Sequence, residues 1–488
     1  MITLTASIAS SKHLICGALV LALASCNSYN DRTKRFASQW ERADFQGSAV
    51  EACELAEKSP SRDRVVSQLE KGAALHAAGR LDEALTAYDQ ADAFAKEQDQ
   101  QADVRVGEIL SGTMTNLSYL PYRLRWYDRI MMHNSKALIL MEMGRWDDAR
   151  AELRATEFAQ QDAQRQSQSE VAEREEIETK ASQDKTYKSE KTLNDPGVKN
   201  KLDQTYGDLE HYKAIKDFDN PAAVLVNAIY FLHRPADSSD LDRSRASLRR
   251  LAAMCAKHQP DLKKTIDAML QRIDTKQAEP PCVHVIVETG RAPSRDQIRI
   301  DLPVFIVDGT VPYVGAAFPT LVPHPLSSSG FSVRAGNQDA GTASLVNVDD
   351  IVATHFSQEL PMVITRTLIS TAAKAAATWG AKKAAKAAAG KDNAVWAGLA
   401  ADVIGAGYQI AMNEADRRTW LTLPREVLYA RMPMPEDGRL GIRSGSGATE
   451  YIDLKSGRGL LILVKAPSPA GPFSIHQIVL EAKQGNPK

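Results

Sequence analysis

Apolar residues recur at spacings of three and four from about residue 36 to 278, then at every second position from about 279 to the end. The first period puts one stripe of side chains on a helix face and the second puts them on one face of a strand. Helical pairs are expected at 65–95, around GRLDEALTAYDQA, at 137–156, around MGRWDDARAEL, and at 220–255, where NPAAVLVNAIYFL precedes DRSRASLRRLAAM. An additional helical segment is expected around 117–132. The period changes at Pro280-Pro281. CVHVIVETG, QIRIDLPVFIV and EYIDLKSGRGLLILVKAP then read as short strands bounded by Gly, Pro, Asp and Ser. Residues 311–322 are interrupted by prolines, so a strand there belongs at an edge or carries bulges. Residues 427–431 return the chain to strand, and 473–480 form the closing strand.

Two stretches interrupt this order. Residues 160–201 are rich in Gln, Glu, Lys and Ser and nearly free of apolar side chains, so they are expected to form no core, as a solvated helix extension or a disordered loop, with a charged arm that contacts a partner as the alternative. Residues 350–420 are strongly helical: ITRTLISTAAKAAATWGAKKAAKAAAG, stopped by Gly390, and NAVWAGLAADVIGAGYQIAMNEAD read as a hairpin inserted between strands. Asp402 and the lysines leave neither arm the uncharged stretch of about 18 residues that a membrane span needs.

In the first helical pair, Gly72, Leu75, Gly79, Ala84, Tyr88 and Ala91 resemble the spacing of a tetratricopeptide repeat. Ala137, Leu140, Gly144, Ala149 and Leu153 form a second copy, although the interval between Gly79 and Gly144 makes the array irregular. The expected fold is thus multidomain α+β: a tetratricopeptide-like α-solenoid over 36–278, then an antiparallel β-rich domain over 279–488 carrying the Ala-rich hairpin at about 350–420.

Leu23-Ala24-Ser25-Cys26, closing an apolar stretch after Lys12, resembles the lipobox of bacterial lipoproteins. The resemblance implies a signal peptide over 1–25, lipid on Cys26 and a short tether over 26–35; Asn27, in place of an aspartate, implies the periplasmic face of the outer membrane. Several acyl chains on one cysteine make such an anchor stable.

A formal net charge of −1 in 488 residues gives no electrostatic reason to expect nucleic acid. Of five cysteines, Cys53, Cys255 and Cys282 remain after the signal and Cys26 are set aside. Pairing of Cys255 with Cys282 and three buried thiols both stay open. The ten histidines show no H-E-x-x-H and no pair at ligand spacing on one helix, so no metal, cofactor or catalytic residue is expected. Gly390-Lys391-Asp392 lacks the partners of a phosphate loop, and Ser444-Gly445-Ser446-Gly447 lacks those of a nucleophile elbow.

The remaining candidates are surfaces. Tyr119, Tyr122, Arg123, Arg125, Trp126 and Tyr127 cluster in SYLPYRLRWYDR, and aromatic and arginine side chains are over-represented in binding hot spots. Core packing between repeats is the competing reading of the same residues. LPYRLRWYDRIMMHNSKALILMEMGRWDDAR, YGDLEHYKAIKDFDNPAAVLVNAIYFL, ETGRAPSRDQIRIDLPVF, GAAFPTL and EADRRTWLTLPREVLYARMPMPEDG together resemble a family of largely uncharacterised bacterial lipoproteins with tetratricopeptide-like helices and a C-terminal β domain. Some members are encoded near lipoproteins that activate peptidoglycan synthases, so the resemblance implies a role in the cell envelope.

The function expected from these features is a non-enzymatic, membrane-anchored periplasmic scaffold for envelope proteins. The alternatives are a cell-wall-acting enzyme and a structural subunit of a surface or secretion assembly that oligomerises through the Ala-rich hairpin.

Overall fold

The computed structural model describes residues 28–100, 118, 120–183, 188–212, 219–255, 259–305, 311, 313–325, 330–388, 414–445, 447, 449–468 and 470–482. The signal segment, Cys26, Tyr119 and the second arm of the expected hairpin lie outside them.

Helices come first: α1 (Tyr29–Glu41), α2 (Phe45–Glu57), α3 (Arg64–Ala77), α4 (Leu81–Gln100), α5 (Trp126–Glu142), α6 (Trp146–Ser182), α7 (Ser189–Leu193), α8 (Pro196–Tyr206), α9 (Pro221–His233), α10 (Ser238–Cys255) and α11 (Pro260–Asp274). Strands follow: β1 (Cys282–Thr289), β2 (Ser294–Pro303), β3 (Tyr313–Val322), β4 (Phe331–Ala335), β5 (Gln338–Gly341) and β6 (Ala343–Asn347). The long helix α12 (Val348–Ala388) is inserted next, and β7 (Glu426–Pro433), β8 (Arg439–Ser444), β9 (Thr449–Asp453), β10 (Gly459–Ala466) and β11 (Ser474–Glu481) complete the chain.

The tether expected over 26–35 is corrected from Ser28 onward. Ser28 and Asp31 form a reciprocal capping box, α1 starts at Tyr29, and Tyr29, Thr33 and Phe36 are buried. In the first helical pair, Gly72 of α3 faces the Tyr88 ring of α4 so closely that a Cβ there would lie 2.8 Å from it. Gly79 and Gly144 both have positive φ, 77° and 74°, in the turns that join α3 to α4 and α5 to α6. The charged stretch at 160–201 continues α6 as a helix, but the expectation that it joins no core is corrected. Ala163 and Val198 are fully or nearly fully buried, and Val198 packs with Ile300, Leu302 and Phe318.

Among the described residues three sheets form, in the orders β11-β10-β1-β7-β6, β2-β3 and β5-β4-β8-β9. The expectation of an antiparallel domain is corrected at one place: β1 and β10 run parallel, while the other strand pairs among the described residues are antiparallel. Pro319 sits in β3, which among the described residues pairs with β2 alone, so the missing amide leaves the sheet intact. Alternation gives the five-stranded sheet two buried faces. Val283, Val285, Val287, Leu460, Ile462 and Val464 pack toward the four-stranded sheet, whereas Ile286, Leu461, Leu463 and Tyr429 join the core of the helices. Helices and sheet therefore share one core.

Of the expected insertion, the structure describes a single helix of 41 residues with Pro361 inside it. Met362, Ile369, Ala372 and Ala375 pack it against Val304 and Val314. No helix among the described residues is long and apolar enough to cross a membrane.

Candidate functional site

A cleft of about 420 Å³ lies where residues 120–125, α5, α6, β2 and α12 meet. Leu120, Pro121, Tyr122, Arg123, Leu124, Arg125 and Trp126 form one wall; Met362, Val363, Arg366 and Thr367 of α12 form the other. The sequence-derived binding residues thus do gather, but not as an exposed patch. Tyr122, Arg125, Trp126 and Tyr127 are 1%, 8%, 3% and 1% exposed. Only Arg123 stands in solvent, and Tyr119 lies outside the described residues.

The correction has a local cause, because these polar groups already serve the fold. The Tyr122 hydroxyl donates to Asp128 Oδ2 at 2.6 Å, and Arg125 donates through Nη1 to the Tyr122 oxygen at 2.7 Å and through Nη2 to the Arg418 carbonyl at 2.9 Å. Arg418 in turn grips Asp416 with two bonds of 2.7 Å and donates to Asp63 at 3.0 Å. LPYRLRWYDR and EADRRTW, distant in the chain, therefore hold each other. Glu70 of α3 extends the same junction, accepting from the Leu421 amide, from the Thr422 amide at 3.2 Å and from the Thr422 hydroxyl at 2.8 Å. A buried carboxylate satisfied this way caps a non-helical segment whose amides have no sheet partner.

The floor of the cleft is charged. Arg295, 1% exposed, makes a two-pronged pair with Glu359 at 2.5 and 3.3 Å. Burial works against the Glu359 charge, but Arg295 and Arg125 outweigh it and hold the carboxyl well below its usual range. Burial pushes His355 down to about 3, and Arg125 and Arg295 act in the same direction, so this ring is neutral. Arg295 Nε, the Tyr127 hydroxyl and Asp128 Oδ1 are buried with no hydrogen-bond partner among the described residues.

Two further clusters sit where the helices meet the five-stranded sheet, and neither was legible as a motif. In the first, His233 ends α9 while Cys282 and His284 share the helix-facing side of β1. His233 Nε2 and His284 Nε2 are 2.9 Å apart, and Cys282 Sγ is 3.6 Å from His284 Nε2. Burial opposes a charge on His233, yet Cys282 and Glu481 outweigh it and lift its value to about 9; burial, with His233 and Arg431 beside it, drives His284 well below its ordinary value. In the second cluster, His476 Nδ1 meets Glu142 Oε2 at 2.9 Å, with His76 Nε2 at 3.8 Å from the same oxygen.

Both groups bring three metal-capable side chains together, although no motif in the sequence points to either. The only sequence trace is a polar residue at alternate core-facing positions, Cys282-Val283-His284 and Ser474-Ile475-His476. Their helix-borne partners lie too far away in sequence for any spacing rule to find.

Ser474 Oγ is also 3.0 Å from His476 Nε2, so Ser474, His476 and Glu142 have the distances of a nucleophile relay. The hydroxyl, however, donates to the Ala77 carbonyl at 2.7 Å, which turns its proton away from the imidazole and makes the contact a link between α3 and β11. The thiols of Cys53, Cys255 and Cys282 are free, so Cys255 and Cys282 are not bonded to each other.

Fold and sites together define a mixed α and β protein: a helical body sharing its core with a five-stranded sheet, and a cleft under one long helix. Compared with protein-family models, with curated proteins and with solved structures, the chain matches none.

Proposed function

We propose that this chain is a non-enzymatic, lipid-anchored scaffold of the bacterial cell envelope, tethered through Cys26 on the periplasmic face of the outer membrane. In this reading α3–α4 and α5–α6 are irregular tetratricopeptide-like pairs, a reading supported by the close approach of Gly72 to Tyr88.

The cleft carries the proposal. Its volume of about 420 Å³ falls in the range of ligand and peptide sites. Met362 and Val363 offer an apolar wall, Arg123 stands exposed at the rim, and the floor is set by the paired Arg295 and Glu359. Such a site suits an extended segment of an envelope protein that carries an apolar side chain next to a carboxylate. Tyr122 and Arg125 form part of one wall, and their hydrogen bonds to Asp128, to each other and to the Arg418 carbonyl hold its shape.

A block tests this directly. Val363→Arg, which fills the cleft, is expected to remove a defined envelope protein that co-purifies from membranes, whereas Tyr313→Arg, on an exposed position of β3, leaves it. Equal recovery with both variants counts against the cleft. In the same preparations Cys26→Ser is expected to release the protein from the membrane fraction, and retention would count against the anchor.

A further inference from the structure

We infer that His233, Cys282 and His284 bind one thiophilic d10 cation, Zn(II) or Cu(I), which ties the C-terminal end of α9 to the five-stranded sheet. The three donor atoms lie within 4.8 Å of one another. For a tetrahedral ion with metal–sulfur and metal–nitrogen bonds of about 2.3 and 2.05 Å, sulfur and nitrogen should be about 3.6 Å apart and two nitrogens about 3.3 Å. Cys282 Sγ and His284 Nε2 are 3.6 Å apart. The two imidazole nitrogens, at 2.9 Å, need to open by a few tenths of an ångström, a small ring rotation.

Local geometry explains why the donors converge. Residues 282 and 284 are two apart on β1, so both side chains leave the same face. His233 reaches them because position 459 on the neighbouring strand is glycine; a Cβ there would lie 3.0 Å from His233 Nδ1.

The outer shell is the one that metal-bound histidines have. The nitrogen of each ring that faces away from the cluster is already held: His233 Nδ1 by Glu481 Oε1 at 2.8 Å, and His284 Nδ1 by the Tyr429 hydroxyl at 2.8 Å. These bonds fix both rings with Nε2 aimed inward, as the carboxylate–histidine pairs around metal ions do.

Side-chain type narrows the ion. One sulfur and two imidazoles favour zinc and copper over calcium or magnesium, which take oxygen ligands. All three residues are buried, so an ion there would join helix to sheet, with three protein donors and the fourth position of a tetrahedral ion left to a water. The second cluster, His76, Glu142 and His476, offers no sulfur and serves as the internal control.

The test uses the full-length protein purified in detergent. Protein from cells grown with zinc and copper is analysed for metal content and by X-ray absorption. Protein stripped by a chelator is titrated with Co(II), as a probe for zinc, and anaerobically with Cu(I). One equivalent of zinc or copper per chain is expected, with one sulfur and two nitrogens around it; whichever metal is retained identifies the cation.

Co(II) should give a thiolate-to-cobalt charge-transfer band that is lost in Cys282→Ser and kept in His76→Gln. His284→Gln should weaken binding at least tenfold. The wild-type absorption spectrum stands even if Cys282→Ser folds poorly. A wild-type protein that retains no metal and gives no such band overturns the inference. So does a band that survives Cys282→Ser, or binding that is lost only in His76→Gln.

Discussion

Polar side chains crowd into the layer between the helices and the five-stranded sheet, where burial costs least for those that another side chain answers. Glu142 shows this in its titration. Burial alone would raise its carboxyl, but the hydrogen bond with His476, with the His76 ring beside it, overcomes that and brings it down to about 2. A depressed carboxyl contributes stability that is complete above its unfolded value of about 4.5 and is lost as pH falls toward 2. A shift of that size corresponds to about 3 kcal/mol. Glu142→Gln should therefore lower the urea midpoint at pH 7, and its gap to the wild type should close as the pH approaches 2; a gap that stays constant would remove the Glu142 carboxylate from the account. The same residue scale explains why the Tyr122–Tyr127 cluster misleads in sequence. Composition gives aromatic and arginine residues as a hot spot, but whether a guanidinium reaches solvent or a distant carbonyl, as Arg125 reaches that of Arg418, depends on a segment nearly 300 residues away.

Elements were more legible, since their signals are local. Helical pairs at 65–95, 137–156 and 220–255 appear where the three-and-four spacing puts them, and β1, β7, β10 and β11 appear where short apolar runs bounded by turn residues put them. What misled was polarity read as exposure. Residues 160–201 look like a solvated arm, yet the few small or apolar side chains there, Ala163 and Val198, are enough to seat the segment. Ser28 and Asp31 look like tether and instead start a helix, because reciprocal capping satisfies its first amides. The interlock of α3 with α4 offers a clean test. Gly72→Ala gains up to about 1 kcal/mol of helix propensity but presses a methyl group into the Tyr88 ring, at a cost of about 1–3 kcal/mol. Thermal unfolding should show a lower midpoint; a higher one would mean that the two helices do not interlock at this point.

At the scale of the molecule, α11 ends at Asp274 and β1 starts at Cys282, on either side of the change of period at Pro280-Pro281. The two parts nevertheless share a core, through Ile286, Tyr429, Leu461, Leu463, Ile478 and Leu480. That union was not legible, because a strand buried on both faces shows no alternation that says which partner covers which side. It also creates the cleft, which needs the helical wall at 120–126 and the α12 wall from the β-rich half. The scaffold reading depends on a partner segment entering between these walls. Its most direct test is site-specific photo-crosslinking in intact cells, with the reactive side chain at position 363 of α12 and, separately, at exposed position 313 of β3. The account predicts a discrete adduct with an envelope protein from position 363 that is lost with Arg123→Glu and absent from position 313. The absence of an adduct at 363, or the same adduct from both positions, would contradict it.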